Sequence, residues 1–308
     1  MPVARGPGSI VPEGDDRGVR TVQHDGFADP TTPAATAGTA GAAAATRSRT
    51  PATRRRQAQV SGLRVAFIVA ALGLWQLAVV TGVASRAAVA EPTSVAREFP
   101  ALVSSGAFWS AVGATLRTWA TGLAIAMLVA IPVGLLLGSS SLAYRMCRFT
   151  IDFLRTIPPV ALIPLVLLLY GATQKMAILL VIFGSTGPLL LQTMYGAQQI
   201  DPQIRDVGRA YLLRRRQFVL RVLIPSAAPF VATGVRISAT ISLLLAIGAE
   251  LIGGAPGLGA NITIDAQSNN IPRMYAYIVV CAGLGAALNL IMLAVERRAI
   301  AWAPAHRR

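Results

Sequence analysis

Asp206-Val207-Gly208-Arg209-Ala210-Tyr211-Leu212, followed after a short basic run by Val222-Leu223-Ile224-Pro225, is the stretch on which the fold turns. It is polar and rich in arginine, yet long apolar runs lie on both sides of it. A charge held at mid-bilayer costs about 2.5–3.5 kcal/mol on insertion scales, so such a stretch belongs in water beside a membrane. Asp201-Pro202 reads as a helix start, Asp capping and Pro tolerated at the first helical position. From Ile204 onward a helix places Val207, Ala210 and Tyr211 on one side, while Arg205, Arg209 and Arg216 fall mostly elsewhere and stay solvated. Gly208 and Ala210 are small enough for a partner surface to approach closely. Pro225 and Pro229 are expected to break the helix where the chain turns back into the bilayer.

Six apolar runs flank this loop, at about 65–83, 111–137, 153–170, 176–195, 230–252 and 276–295. About 20 helical residues cross a hydrocarbon core of roughly 30 Å, so each run is near or above the length of a span. The runs are continuous, not alternating, which speaks against a β-barrel. Only 13% of the 308 residues are charged and 54% are hydrophobic, against about 25% charged in soluble domains. The net charge of +15 would suggest nucleic acid if it formed a folded basic face, but the arginines cluster in tails and between apolar runs with few aromatics. Cys147 and Cys281 are too few and scattered for a disulfide framework or a zinc site. Both histidines, His24 and His306, lie in the terminal tails, leaving the apolar body without an imidazole for a catalytic triad or metal. Residues 1–62 lack apolar periodicity and are expected to be a disordered tail. The apolar body is expected over 63–298 and a short basic tail over 299–308.

Arginine placement orients the bundle. With the N-terminal tail assigned to the cytoplasm and sides alternating across six spans, the inner segments hold 21 Lys and Arg residues. The outer ones hold four, namely Arg86, Arg97, Lys175 and Arg273, and Arg117, Arg155 and Arg236 fall within or at the edges of spans. Positive charge retained on the cytoplasmic side then puts both termini inside and the loop over 198–228 in the cytoplasm.

The register of acid at Asp206, Gly208-Arg209-Ala210, Val222-x-Ile224-Pro225 and Gly234-x-Arg236 resembles the cytoplasmic EAA loop of binding-protein-dependent ABC importer permeases. Leu212 departs from that pattern, standing where the family carries a glycine that permits a tight bend. The likeness extends to Thr115-Leu116-Arg117 with Gly122, to Ile131-Pro132-Val133-Gly134 with Gly138, and to Glu250, Gly253-Gly254 and Gly257-Leu258-Gly259. Arg155-Thr156-Ile157-Pro158-Pro159-Val160-Ala161-Leu162-Ile163-Pro164, closing at Tyr170-Gly171, is similar to the proline-rich third span of the nitrate, sulfonate and taurine branch. The resemblance covers roughly 63–298. It implies an all-α membrane protein of six transmembrane helices with the type I, MetI-like permease fold.

In function it implies a non-catalytic importer subunit for small oxyanions such as aliphatic sulfonate, taurine or nitrate, working by alternating access. Asp206, Val207, Gly208, Arg209, Ala210, Leu212 and Pro225 would couple it to cytoplasmic ATPase subunits, which bind the ATP and Mg. The resemblance also implies an extracytoplasmic solute-binding protein and a second permease copy, with no cofactor or metal in this chain and no nucleic acid. An alternative cargo is a heterocycle of the thiamine-precursor kind. Rival readings are an ion-coupled secondary transporter, which would show more intramembrane carboxylates and inverted repeats, and an intramembrane enzyme. No Gly-x-x-x-x-Gly-Lys-Ser/Thr loop is present, so the chain does not cradle a nucleotide in that way.

Charges and kinks inside spans complete the candidates. Arg117 and Glu250 either approach each other or share an outer vestibule, or each snorkels separately. Asp152 and Arg155, three residues apart, read as a local pair. Pro158, Pro159 and Pro164 remove backbone donors, so their segment faces protein or a water-filled path. They either line the translocation route or form a passive kink.

Overall fold

The computed structural model describes residues 51–83, 85, 88–200 and 202–300. Most of the expected N-terminal tail, the C-terminal tail beyond residue 300, the helix-start Asp201 and the outer Arg86 lie outside the described residues. The chain divides into two units, 1–57 and 58–308. Only residues 51–57 of the first are described, and the bundle below belongs to the second.

All the described regular structure is helical: α1 Pro51–Val80, α2 Pro92–Ser104, α3 Gly106–Ser139, α4 Ser141–Leu154, α5 Ile163–Tyr170, α6 Gln174–Gln198, α7 Pro202–Ala210, α8 Arg215–Phe218, α9 Ile224–Gly253, α10 Leu258–Gln267 and α11 Ile271–Ala299. Helix α1 begins at Pro51, earlier than the tail boundary expected near residue 62. Ala, Arg and Gln in that stretch are good helix formers by intrinsic propensity.

Helix α6 lies between α3 and α9. Side chains built on Gly122, Gly134 and Gly138 of α3 would collide with Val181, Thr193 and Ala197 of α6, so α3 and α6 run parallel. Small residues at four-residue spacing (Ala126, Ala130, Gly134, Gly138) let the two backbones close up, and close packing is what joins helices where lipid removes the hydrophobic drive. Helix α9 runs antiparallel: Gly196 faces Phe230, Gly184 faces Leu245, and Gly253 faces Met176. A buried hydroxyl pair, Ser185 and Ser242 at 2.7 Å, and Ser238 donating to the Ser185 carbonyl at 3.0 Å, pin this seam.

These directions place the starts of α3 and α6, the end of α9 and the start of α11 at one end of the bundle. The α7–α8 loop lies at the other end. The first end is capped by α2 and α10, neither foreseen from the apolar runs, around a core that includes Val95, Leu102, Phe108, Leu258 and Tyr277. Trp75 of α1 meets Tyr275 there with ring centroids 5.9 Å apart.

Four helical stretches among the described residues are long and apolar enough to cross a membrane, or five if the bent pair of Ser141–Leu154 and Pro159–Tyr170 counts as one span. The six-run expectation differs in two places. The apolar part of α1, Ala66–Val80, is short for a full crossing. The third run is no straight helix: α4 and the Pro159–Tyr170 segment meet at 68°, because Pro158 and Pro159 withhold the amides that would continue the helix.

Candidate functional site

The polar loop after α6 forms two short helices, α7 and α8. Helix α7 exposes Ile204 and Val207, and Tyr211 just past its end continues the same face, at i, i+3 and i+7. On its flank Gly208 is buried, and a Cβ there would lie 3.1 Å from the Phe218 ring of α8. The glycine therefore allows the two helices to close on each other. Ala210 is exposed, and the side chains of Arg205 and Arg209 lie outside the described residues.

Helix α7 ends in the left-handed conformation at Leu212, with φ 51°. Leu213 N–H reaches back to the Gly208 carbonyl at 3.0 Å, and Tyr211 N–H to the Val207 carbonyl at 3.0 Å. The first bond is the six-to-one closure of a Schellman ending, whose left-handed residue is usually glycine. Leu212 thus holds the bend expected of the family's glycine, with a side chain that disfavours it and stays exposed. Left-handed backbone costs about 1–2 kcal/mol in a residue with a Cβ, partly offset by the entropy glycine loses. Leu212→Gly is expected to slow amide hydrogen exchange at Leu213 about two- to fivefold, the equivalent of about 0.5–1 kcal/mol. Unchanged or faster exchange would show that the loop does not feel the strain.

Pro225 and Pro229 do not break the helix, as a correction to the sequence reading. The chain stays helical from Arg215 into α9 through a π turn at Val219–Leu223. Pro225 sits in the first turn of α9, just past that turn, and its missing amide falls where the α-helical ladder is already interrupted. Leu223 is buried with Ala197 and Ile200 at the end of α6, so the second half of the motif anchors the loop to the bundle.

At the broken third run, a short 3-10 turn at Pro159–Leu162 leads into α5, which buries Ile163 and Val166 against α6 and α9. Pro158 and Pro164 are exposed and Pro159 half-buried. The break opens a cleft of about 700 Å³ bounded by α3, α4, α5, α6 and α9, with Arg155, Pro159, Phe183, Gly184 and Thr186 among its walls. Asp152 lies 3.5 Å from both Arg148 Nε and an Arg155 terminal nitrogen, so the expected local pair is present and shared with a second arginine.

Glu250 and Arg117 do not pair, which removes one of the alternatives the sequence leaves open. Glu250 is fully buried. Its Oε2 accepts from the Thr115 hydroxyl at 2.8 Å and from Gly259 N–H at 3.0 Å. The Thr115 oxygen in turn accepts from Leu258 N–H at 3.0 Å. Arg117, two residues on and about 200° around α3, is exposed. Glu250 therefore joins α3, α9 and the start of α10 and lines no open path in this structure. The joint closes because Gly257 has no Cβ: one there would fall on the Glu250 carboxyl.

The model of the family described as binding-protein-dependent transport system inner membrane component matches residues 130–301. The chain belongs to that family. It is a multi-pass inner-membrane permease component, and the matched region includes α7, the helix break and Glu250 but not Arg117. The permease is 26% identical over 269 residues to the putative aliphatic sulfonates transport permease protein SsuC of Bacillus subtilis, covering 87% of this chain and 97% of that one. It is 28% identical to the nitrate import permease protein NrtB of Leptolyngbya laminosa, over 77% of this chain and 86% of the relative. Against the bicarbonate transport system permease protein CmpB of Synechococcus elongatus it is also 28% identical, over 63% and 70%. Among solved structures, an inward-facing MetNI methionine ABC transporter matches with a TM-score of 0.53 at 20% identity, over 63% of this chain and 96% of that one. The all-helical MetI-like permease fold follows.

Among the ion pairs of the permease that the sequence does not reveal, one joins α9 to α11. Arg236 of α9 bonds Glu296 of α11 at 3.1 Å, and Thr233 donates to the other Glu296 oxygen at 2.9 Å. In the sequence Arg236 stands at a span edge and Glu296 lies beyond the sixth run, 60 residues away. The signal available was Arg236 itself, a charge at a span edge in want of a partner. Arg236→Gln or Glu296→Gln alone is expected to cost about 1–2 kcal/mol, discounted because Arg236 is part-exposed, and the double variant less than the sum. Thermal unfolding of the four proteins in detergent measures it, and strict additivity would show no coupling.

Proposed function

We propose that this chain is the transmembrane subunit of an ATP-driven importer for small oxyanions, with aliphatic sulfonate, taurine, nitrate and bicarbonate as the cargo class. The exposed apolar face of α7, at the end of the bundle opposite the α2–α10 cap, carries the coupling part of this reading. A membrane protein leaves such a face in water when a partner covers it. The charge shared by the named cargoes of the relatives supports the oxyanion class.

In this reading α1, α3, the α4–α5 pair, α6, α9 and α11 are the six spans, and both termini are cytoplasmic. Residues 1–62 and 299–308 are tails on the body 63–298, and the loop over 198–228 docks on an ATPase subunit. Asp206, Val207, Gly208, Arg209, Ala210, Leu212 and Pro225 form or shape that docking element. ATP and Mg are bound and ATP is hydrolysed by the partner, while this chain contributes no catalytic group and no cofactor site. A second copy completes the path, and an extracytoplasmic binding protein delivers the solute to the α2–α10 end.

Closure of two ATPase subunits draws the paired α7 helices together, the bundles rock to open the path outward, and hydrolysis resets it. Pro158, Pro159 and Pro164 supply the bend beside the path, with Arg117 exposed on α3. Vesicles holding the permease, its ATPase and the binding protein test the proposal by uptake of radiolabelled taurine, nitrate or bicarbonate. Uptake that needs internal ATP is expected. Uptake driven by a proton or sodium gradient without ATP would overturn the importer reading in favour of an ion-coupled carrier.

A further inference from the structure

Arg155 stands at the helix break, and its surroundings set it apart from the other described arginine side chains. It forms part of the wall of the 700 Å³ cleft and is the single charged residue among the described residues lining it. Its Cβ lies 3.6 Å from the position a Cβ would take on Gly187. Gly187 is about 20 Å along α6 from Gln174 and about 17 Å from Gln198, at 1.5 Å per residue. Arg155 is thus level with the middle of a membrane-crossing helix, where a charge is retained only beside a partner or water.

Its partner is incomplete. Asp152 is shared between Arg148 and Arg155 at 3.5 Å each, and the side chains of all three are about half exposed. One carboxylate against two guanidiniums leaves one positive charge uncompensated. Arg155 also keeps most of its five N–H donors free for an oxygen-rich anion, which a planar guanidinium matches in two-point fashion. The helix break puts it there: α4 ends at Leu154, and Pro158 and Pro159 turn the chain so that the Arg155 side chain leaves a helix end beside the cleft.

We propose that Arg155 is an anion-binding residue of the translocation path, holding the passing oxyanion at the middle of the membrane, with Asp152 limiting its affinity so that the ion is released. The inference rests on the oxyanion reading above and adds the residue that meets the cargo. Asp152 shapes the response in a predictable way: without it the anion binds more tightly and leaves more slowly.

Two experiments test it. In vesicles holding the complete transporter, Arg155→Gln is expected to lower taurine, nitrate or bicarbonate uptake at least tenfold, with binding-protein-stimulated ATPase activity retained. Arg155→Lys is expected to recover a large part of uptake, and Asp152→Asn to lower KM and kcat together. Normal uptake by Arg155→Gln overturns the proposal while leaving the oxyanion reading intact. A wild-type transporter that carries only neutral or cationic solutes overturns both.

The second experiment needs no cargo. Arg155→Cys, with Cys147 and Cys281 replaced by Ser, is expected to react with a water-soluble, membrane-impermeant thiol reagent in the assembled transporter. Failure to react in both the resting and the ATP-bound states overturns the proposal by showing that the position sees lipid or packed protein instead of water.

Discussion

Val207→Glu in α7 is expected to reduce ATP-dependent uptake to background and to release the ATPase subunit during purification. Val207 is 54% exposed at the centre of the Ile204–Val207–Tyr211 face, and Tyr211 is 78% exposed. Covered by a partner, such residues are buried at the middle of an interface, where the handful of residues that cost 2 kcal/mol or more on truncation cluster. A carboxylate placed there adds an unpaired buried charge, so a loss of about 3–5 kcal/mol is expected, roughly 150- to 4,000-fold in affinity. Ala210→Pro is expected to give the same loss through the backbone. Proline removes the amide that bonds the Asp206 carbonyl and clashes with that carbonyl, at a cost of about 3 kcal/mol. Neither change touches the α3–α6–α9 packing, so both proteins are expected in the membrane at wild-type amounts. Co-purification of ATPase and permease at normal ratio, with normal uptake, would sink the coupling role of α7.

That role rests on what was legible in the chain and what was not. The helix at Asp206 and the small residue at Gly208 could be read because they depend on neighbours within a few positions; the bend at Leu212 could not, because a leucine disfavours the left-handed backbone it adopts. The continuation through Pro225 could not, because a π turn is an adjustment of the ladder that leaves no composition signal. The same division holds at the third run. Its prolines announced a kink, but the 68° bend and the cleft behind it depend on where α6 sets its glycines. The partner of Glu250 stays open in the sequence for a related reason. Opposite charge suggested Arg117, yet helix rotation turns Thr115 inward and Arg117 outward, and α10 supplies amides from beyond a turn that no apolar run revealed.

Gly257→Ala is expected to be as damaging as loss of Glu250 itself. The added methyl would take the space of the Glu250 carboxyl, and the surroundings offer little relief. Gly259 packs as tightly on the other side, against the Ile247 carbonyl and the Glu250 side chain, and α9 ends at Gly254 with φ 70°, fixing where the turn begins. Either α10 moves off α3 or the carboxylate leaves its hydrogen bonds, stranding the Thr115 hydroxyl and the Leu258 and Gly259 amides. Each buried polar group left unsatisfied costs about 1–3 kcal/mol, so two or three of them cost about 3–5 kcal/mol together, and for a chain of this size each kcal/mol lowers the midpoint by about 2–4 °C. A fall of roughly 6–20 °C in the unfolding temperature in detergent is therefore expected, for Gly257→Ala and for Glu250→Ala alike. Glu250→Gln separates shape from charge: its amide oxygen can accept both bonds that Oε2 accepts, so a loss of about 1 kcal/mol or less is expected. Equal losses for Gln and Ala would mean that the negative charge itself, acting on the amides at the start of α10, holds the joint. An unchanged midpoint in Gly257→Ala would mean that α10 yields freely, and that the three-helix joint adds nothing to the stability of the permease.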